Sequence, residues 1–244
     1  FSPDGRLIAI TSFGEHIVFI WDTLTGQAVL DISGQETTVY DLAFSPDGGR
    51  IATANLDGTA KVWNAATGKE ILTLTGHSSS LAGIAFSPDG KYLATASDDG
   101  TAKVWDITSQ GSREWLTITA HTESVRKLAY SPDGALLVTA SNDGTAKIFD
   151  AETGTELRTL SNHTANVYTA IFSPDGTRLA TSSWDNTAKV WDAATGQELL
   201  TLSGHGDGTV GGFFSGILSV AYSPDGKKLA TAGADGNTIL WDAT

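Results

Sequence analysis

Apolar and polar residues alternate along most of the chain in runs of five or six, as in L-A-T-A-S at Leu93–Ser97 and T-A-K-V-W at Thr101–Trp105. A period of two, with Val, Ile, Thr and aromatics favoured, predicts half-buried β-strands. Short turn signals divide the runs: S-P-D-G at Ser87–Gly90, D-D-G at Asp98–Gly100, and A-T-G at Ala66–Gly68 before K-E-I-L-T-L. In S-P-D-G the proline presets the backbone for the first central turn position and the glycine closes the turn. The Asp-Gly pairs accept the positive φ of a tight hairpin. No segment carries helical spacing, and an all-β chain is expected.

The unit Gly76–Asp106, GHSSSLAGIAFSPDGKYLATASDDGTAKVWD, recurs along the sequence. The turn prolines Pro3, Pro46, Pro88, Pro132, Pro174 and Pro224 are spaced by 43, 42, 44, 42 and 50 residues. A period of about 40–45 with four strands per unit is the signature of a β-propeller. With the strands of a blade labelled a to d, innermost to outermost, residues 1–244 read as one domain of six blades, near 1–33, 34–75, 76–119, 120–161, 162–203 and 204–244. The first blade lacks strand a and the last lacks strand d, which predicts 22 strands and leaves two uncovered edges.

The pairs Gly76-His77, Gly204-His205, Trp105-Asp106, Trp191-Asp192 and Trp241-Asp242 resemble the WD-repeat β-propeller family, and the resemblance covers nearly every residue. It implies a binding module whose d–a and b–c loops open on one face, the top, where proteins or peptides dock. The likeness among the repeats resembles bacterial arrays that form the sensor part of larger ATPase or kinase signalling proteins. In the family the last blade is usually completed by a strand from the opposite terminus. The strand-c lysine recurs at Lys61, Lys103, Lys147 and Lys189, whereas the first and last blades carry Phe19 and Ile239.

Charge changes this picture little. The net charge is −13, but 16 of the 28 acids are the recurring aspartates of S-P-D-G, Trp-Asp and the b–c turn. The balance argues against a nucleic-acid backbone as partner, which needs clustered Lys and Arg. There are no cysteines, so disulfides and thiolate sites are excluded and the redox compartment stays open. No apolar run approaches the roughly 20 residues that span a bilayer, and no membrane partner is expected. No leader pattern is visible, the chain begins at Phe1 inside a repeat, and the expectation is a cytoplasmic piece of a larger protein.

Four residues recur at fixed spacing: His77, Thr95, Asp99 and Trp105; His163, Thr181, Asp185 and Trp191; His205, Thr231, Asp235 and Trp241. A hydroxyl beside a His–Asp pair has the composition of an activated nucleophile. Catalytic sites are not copied blade by blade, however, and the resemblance implies a structural hydrogen-bond relay. Thr95 and Ser97 share a strand face, so either can join it. Gln35 stands for His in the second blade, Phe149 for Trp in the fourth, and the first blade has Ile10 at the Thr position. Asp98-Asp99-Gly100 and Asn142-Asp143-Gly144 lack the ligand ladder of a calcium loop. Neither metal nor cofactor is expected, nor is an enzyme.

Two departures from the repeat stand out. The segment from His205 to Ser223 is 18 residues against 10 from His77 to Ser87, and the insertion holds Phe213-Phe214 between glycines. The pair either folds back over an apolar edge or offers an anchor to a partner. By the family likeness, Tyr40, Arg126 and Tyr168 just inside strand a, and Trp184 just before a turn, line the top. No core requirement for a Trp at that turn is visible in the sequence. Tyr, Trp and Arg dominate interface energetics, so Tyr40, Arg126, Tyr168 and Trp184, with Phe213 and Phe214 beside them, are the expected partner site. Association through the uncovered strand edges is the alternative.

Overall fold

The structure, a computed structural model, describes residues 1–11, 16–108, 113–119, 121–210 and 214–243, with only the backbone of Thr209, Val210, Phe214 and Ser215. The chain divides into two compact units, Phe1–Thr119 and Ala120–Thr244.

In the first unit β1 (Leu7–Thr11), β2 (Val18–Asp22) and β3 (Ala28–Ile32) form a three-stranded antiparallel sheet. β4 (Val39–Phe44), β5 (Arg50–Asn55), β6 (Ala60–Asn64) and β7 (Glu70–Leu74) form a four-stranded one, as do β8 (Leu81–Phe86), β9 (Tyr92–Ser97), β10 (Ala102–Asp106) and β11 (Arg113–Ile118). The second unit repeats the arrangement with β12 (Val125–Tyr130), β13 (Leu136–Ser141), β14 (Ala146–Asp150) and β15 (Glu156–Leu160). Its next sheet is β16 (Val167–Phe172), β17 (Arg178–Ser183), β18 (Thr187–Asp192) and β19 (Glu198–Ser203). The two-residue strands β20 (Thr209–Val210) and β21 (Phe214–Ser215) pair with each other inside the insertion. Finally β22 (Ile217–Tyr222), β23 (Lys228–Gly233) and β24 (Thr238–Asp242) form a three-stranded sheet. Every expected strand is present, and the glycine-rich insertion adds a hairpin that its composition did not announce.

Each sheet is a meander whose local chemistry explains it. In the second blade Ser45 Oγ donates to Asp47 Oδ1 (2.5 Å), which also accepts the Gly49 N–H (3.0 Å), while Arg50 N–H donates back to Ser45 Oγ (2.9 Å). The Trp-Asp aspartate closes the c–d turn likewise: Asp192 Oδ1 accepts the N–H and hydroxyl of Thr195, both at 2.7 Å. These bonds hold the turn carboxylates below the usual range, so most of the acid in the sequence is engaged in turns.

Within each unit the core lies between consecutive sheets, where alternate residues of facing strands interlock. One cluster joins Val18, Ile20 and Ile32 to Ile51 and Trp63, and a second joins Val62 and Leu74 to Leu81, Leu93 and Trp105. In the second unit Ile148 and Leu160 meet Val167, Leu179 and Trp191, and Val190 meets Ile217 and Leu229. No sheet buries its apolar face alone, which is why the unit must repeat.

Two β-bulges recur with the blades. The register of strand a slips at its second residue, which makes Tyr40, Ala82, Arg126, Tyr168 and Leu218 the extra residue of the bulge. Strand d slips at Val29, Ile71, Trp115, Leu157 and Leu199. A bulge re-aims the extra side chain and ends regular pairing locally. The first set is where the sequence placed three of its partner-binding candidates.

Candidate partner-binding face

The recurring polar set forms a relay with one hydrogen-bond direction. In the third blade Trp105 Nε1 donates to Thr95 Oγ1 (2.9 Å), Thr95 Oγ1 lies 2.8 Å from His77 Nε2, and His77 Nδ1 lies 2.9 Å from Asp99 Oδ2. Burial holds the His77 imidazole below its ordinary pKa against the pull of Asp99, so the ring is neutral at pH 7. Burial pushes the Asp99 carboxyl up, but the bonds from Thr101, the Ser78 N–H and His77 outweigh it and bring it down to about 2. An ionised Asp99 accepts the hydrogen bond of Nδ1–H, leaving Nε2 to accept from the threonine hydroxyl. Gly76 is required beneath: its φ is +151° and a Cβ there would lie 3.1 Å from the Trp105 ring.

The same geometry holds at His163 with Thr181, Asp185 and Trp191 (2.7, 2.8 and 2.9 Å from His163 or to Thr181). It holds again at His205 with Thr231, Asp235 and Trp241. The threonine rather than the serine two residues on is the member; Ser97 Oγ instead donates to Ser80 O (2.9 Å). The fourth blade, read in the sequence only through its Phe149, also carries the relay: His121 reaches Thr139 (2.7 Å) and Asp143 (2.8 Å). Phe149 stands where the other relays have Trp, and His121 keeps the 18-residue spacing to Thr139 that His77 and His163 keep to Thr95 and Thr181. In the second blade Gln35 Nε2 donates to Thr53 Oγ1 (3.1 Å), beside Trp63 Nε1 at 3.2 Å, but Gln35 Oε1 is buried without a partner.

Although a Thr–His–Asp chain has triad composition, Thr95, Thr139 and Thr181 are fully buried. The hydroxyls of Thr95 and Thr181 already meet both the relay histidine and the indole N–H, and that of Thr139 meets His121.

Among the partner-binding candidates the structure brings three together. Arg126, on the bulge of β12, places its guanidinium carbon 5.4 Å from the centroid of the Tyr168 ring, with Nη2 3.5 Å from Tyr168 Oη. Tyr168, on the bulge of β16, stacks on Trp184 with centroids 5.9 Å apart and planes at 25°. All three are half-buried, giving a cation–aromatic–aromatic row. Tyr40 occupies the matching bulge in the other unit and is exposed. Phe213 lies outside the described residues, and Phe214 is described only as backbone in β21.

The backbone of the turn that carries Trp184 has a packing role that the sequence did not reveal. The insertion crosses the turn that carries it: a Cβ on Gly216, whose φ is +75°, would lie 2.3 Å from the Trp184 Cα. Only glycine fits there. Asn186, in the same turn, holds a φ of +65° where the other blades use Gly58, Gly100, Gly144 and Gly236. Asparagine tolerates that conformation better than most residues, and its Nδ2 donates to Asp207 Oδ1 (2.9 Å) in the insertion. Gly208 approaches Asp235 as closely on the other side, where a Cβ would lie 2.4 Å from the Asp235 Cα. The insertion is thus pinned at both ends, against the b–c turns of the fifth and sixth blades.

Among the described residues no group of three or more His, Cys, Asp or Glu side chains is placed to hold a metal ion.

Repeated four-stranded meanders, packed against one another within each unit and locked in most blades by a histidine–aspartate relay, define the blades of a β-propeller. The WD domain, G-beta repeat family matches at residues 26–64, 68–106, 113–150, 154–192 and 196–242, and the chain belongs to that family. A stretch of 60 residues is 37% identical to the periodic tryptophan protein 2 homolog of Neurospora crassa. That match covers 25% of this chain and 7% of the relative.

Proposed function

We propose that the chain is a non-catalytic module that binds a protein or peptide segment across the row Arg126–Tyr168–Trp184. WD repeats generally serve as protein-interaction scaffolds, and this row is where the chain departs from its own repeat. The observation that carries the reading is the combination of a bulge-borne Arg and Tyr, an unusual turn Trp, and an insertion pinned beside them. Rigid aromatics and an arginine held in place lose little entropy when a partner docks. The buried relay hydroxyls support a non-catalytic role. On this reading the chain is the cytoplasmic sensor or interaction part of a larger, signalling protein. Selection of a random peptide library on the chain, followed by photo-crosslinking of the enriched peptide, should label Tyr168, Trp184 and their neighbours; labelling confined to the opposite strand ends would refute the assignment.

One observation favours a second reading, association through a strand edge. Leu240 in β24 is 71% exposed, whereas its counterparts Val62, Val104, Ile148 and Val190 are at most 1% exposed. No strand covers β24 among the described residues. An open edge with an apolar side chain is a template for another strand. Crosslinks along β24, or a concentration-dependent dimer in sedimentation, would favour this role over the first.

A further inference from the structure

We infer that a cavity of about 490 Å³ at the other end of the second unit's strands is a slot for the arginine side chain of a partner protein. The argument comes from what fills the equivalent place elsewhere. The first residue of strand b is Arg50 in the second blade, Leu136 in the fourth and Arg178 in the fifth. Arg50 Nη2 donates to the Gly90 carbonyl in the S-P-D-G turn of the next blade (2.7 Å), with its guanidinium 5.4 Å from the Phe86 ring centroid. Arg178 Nη1 donates to the Ala243 carbonyl, just past the Trp-Asp pair of the blade after it. In both places the chain's own guanidinium occupies the crevice between two blades.

In the fourth blade Leu136 cannot do this. The space beside it is open and is lined by Gly176 and Ala193, the counterparts of the two accepting residues. The correspondence is geometric as well as positional. A Cβ on Gly176 would lie 3.4 Å from Pro132 Cδ, and one on Gly90 lies 3.6 Å from Pro46 Cδ. Ala193 N–H donates to Thr177 O (3.0 Å) as Ala243 N–H donates to Lys227 O (2.9 Å). The residues whose counterparts accept an internal guanidinium elsewhere border an open cavity here.

The remaining lining fits the same ligand. Asp133, Asp175 and Asp192 border the cavity, each using Oδ1 for its turn. Those turn bonds hold all three carboxyls below the usual range, so they are ionised at neutral pH. Leu136 and Pro132 give the methylene stem an apolar surface. A planar guanidinium with five donors can satisfy separated carbonyls and carboxylates together, which a lysine ammonium does less well. The volume is that of a small-ligand pocket.

The test titrates the full chain with the capped peptide Ala-Arg-Ala and its lysine and citrulline analogues, by calorimetry or chemical-shift mapping. Saturable binding of the arginine peptide is expected, with both analogues weaker by at least about tenfold. Leu136→Arg, which supplies the guanidinium from within, should abolish binding with an unchanged or raised melting temperature. Asp175→Asn keeps the turn acceptor and removes one charge, and should weaken binding should Leu136→Arg fail to fold. Arg126→Ala should leave this binding unaltered, which separates the slot from the partner face. No saturable binding at millimolar peptide, equal binding of the lysine or citrulline peptide, or full binding by the folded Leu136→Arg chain would overturn the inference.

Discussion

Replacing Gln35 by histidine is expected to stabilise the second blade. Its relay is complete except at this position. Thr53 already receives the Trp63 indole N–H (3.2 Å), and Asp57 Oδ1 accepts the Thr59 N–H and hydroxyl at 3.0 and 2.7 Å. Asp99 Oδ1 holds Thr101 in the same way at 2.9 and 2.6 Å, and there Oδ2 meets the histidine. Gln35 reaches Thr53 but leaves Oε1 buried and unpaired. A buried acceptor without a partner costs roughly 1–3 kcal/mol. Histidine removes that acceptor and adds an Nδ1–H for Asp57; loss of the glutamine amide bond offsets part of this, leaving a net gain of about 1–2 kcal/mol. In a repeat array such a gain is felt first in its own blade and that blade's neighbours. Hydrogen exchange of peptides covering β4 and β5 should therefore slow several-fold, and those covering β16 and β17 should not change. Unchanged or faster exchange in β5, with the fold intact, would refute the view that the relay is an additive lock.

The relays also predict a pH response in two stages. His77 and His121 are held below the ordinary histidine value by burial, so the unfolded chain binds their protons first; their contribution is full above about pH 6.5 and is lost as pH falls below it. Asp99, brought down to about 2, contributes fully above about pH 4 and loses that contribution as pH falls toward 2. Urea unfolding at stepped pH checks both, and stability that rises between pH 6.5 and 5 contradicts the first. Trp105→Phe should cost about 1–2 kcal/mol, mainly through the lost indole donor, without changing the fold, because the fourth blade already works with Phe149; far-UV dichroism and calorimetry distinguish this from collapse. The first blade, with Ile10 in place of the relay threonine and Trp21 38% exposed against 2% for Trp63, should exchange its amides faster than the third. Equal protection in the two would sink that expectation.

The strands were legible because alternation and turn chemistry act over a few residues. Ser45–Gly48, Asp98–Gly100 and Asp192–Gly196 each satisfy their own backbone locally, so sequence alone determines them. The relay was legible where its four members kept their spacing; in the fourth blade the sequence showed the Phe149 departure, and His121 was placed by the geometry. Contacts made across blades left weaker traces. That Arg126 and Tyr168 meet follows from a repeated bulge, which alternation cannot show. Trp184 looked like a surface residue because Gly216, the residue that makes room for its turn, lies 32 positions away inside an irregular insertion. Asn186 carried a usable signal, a non-glycine residue in a turn that is glycine in four other blades. The cavity beside Leu136 was readable only by comparison with Arg50 and Arg178 after the geometry was known.

The partner face is tested most directly by the affinity of a library-selected peptide for the natural chain and for Arg126→Ala, with the melting temperature of each recorded. Arg126 is half-buried against Tyr168 and removed from the relay, so the substitution should leave the fold intact. We predict a loss of affinity of at least about tenfold, equivalent to about 1.4 kcal/mol, at an unchanged melting temperature. Affinity within about twofold of the natural chain would contradict the assignment of this row as the binding site.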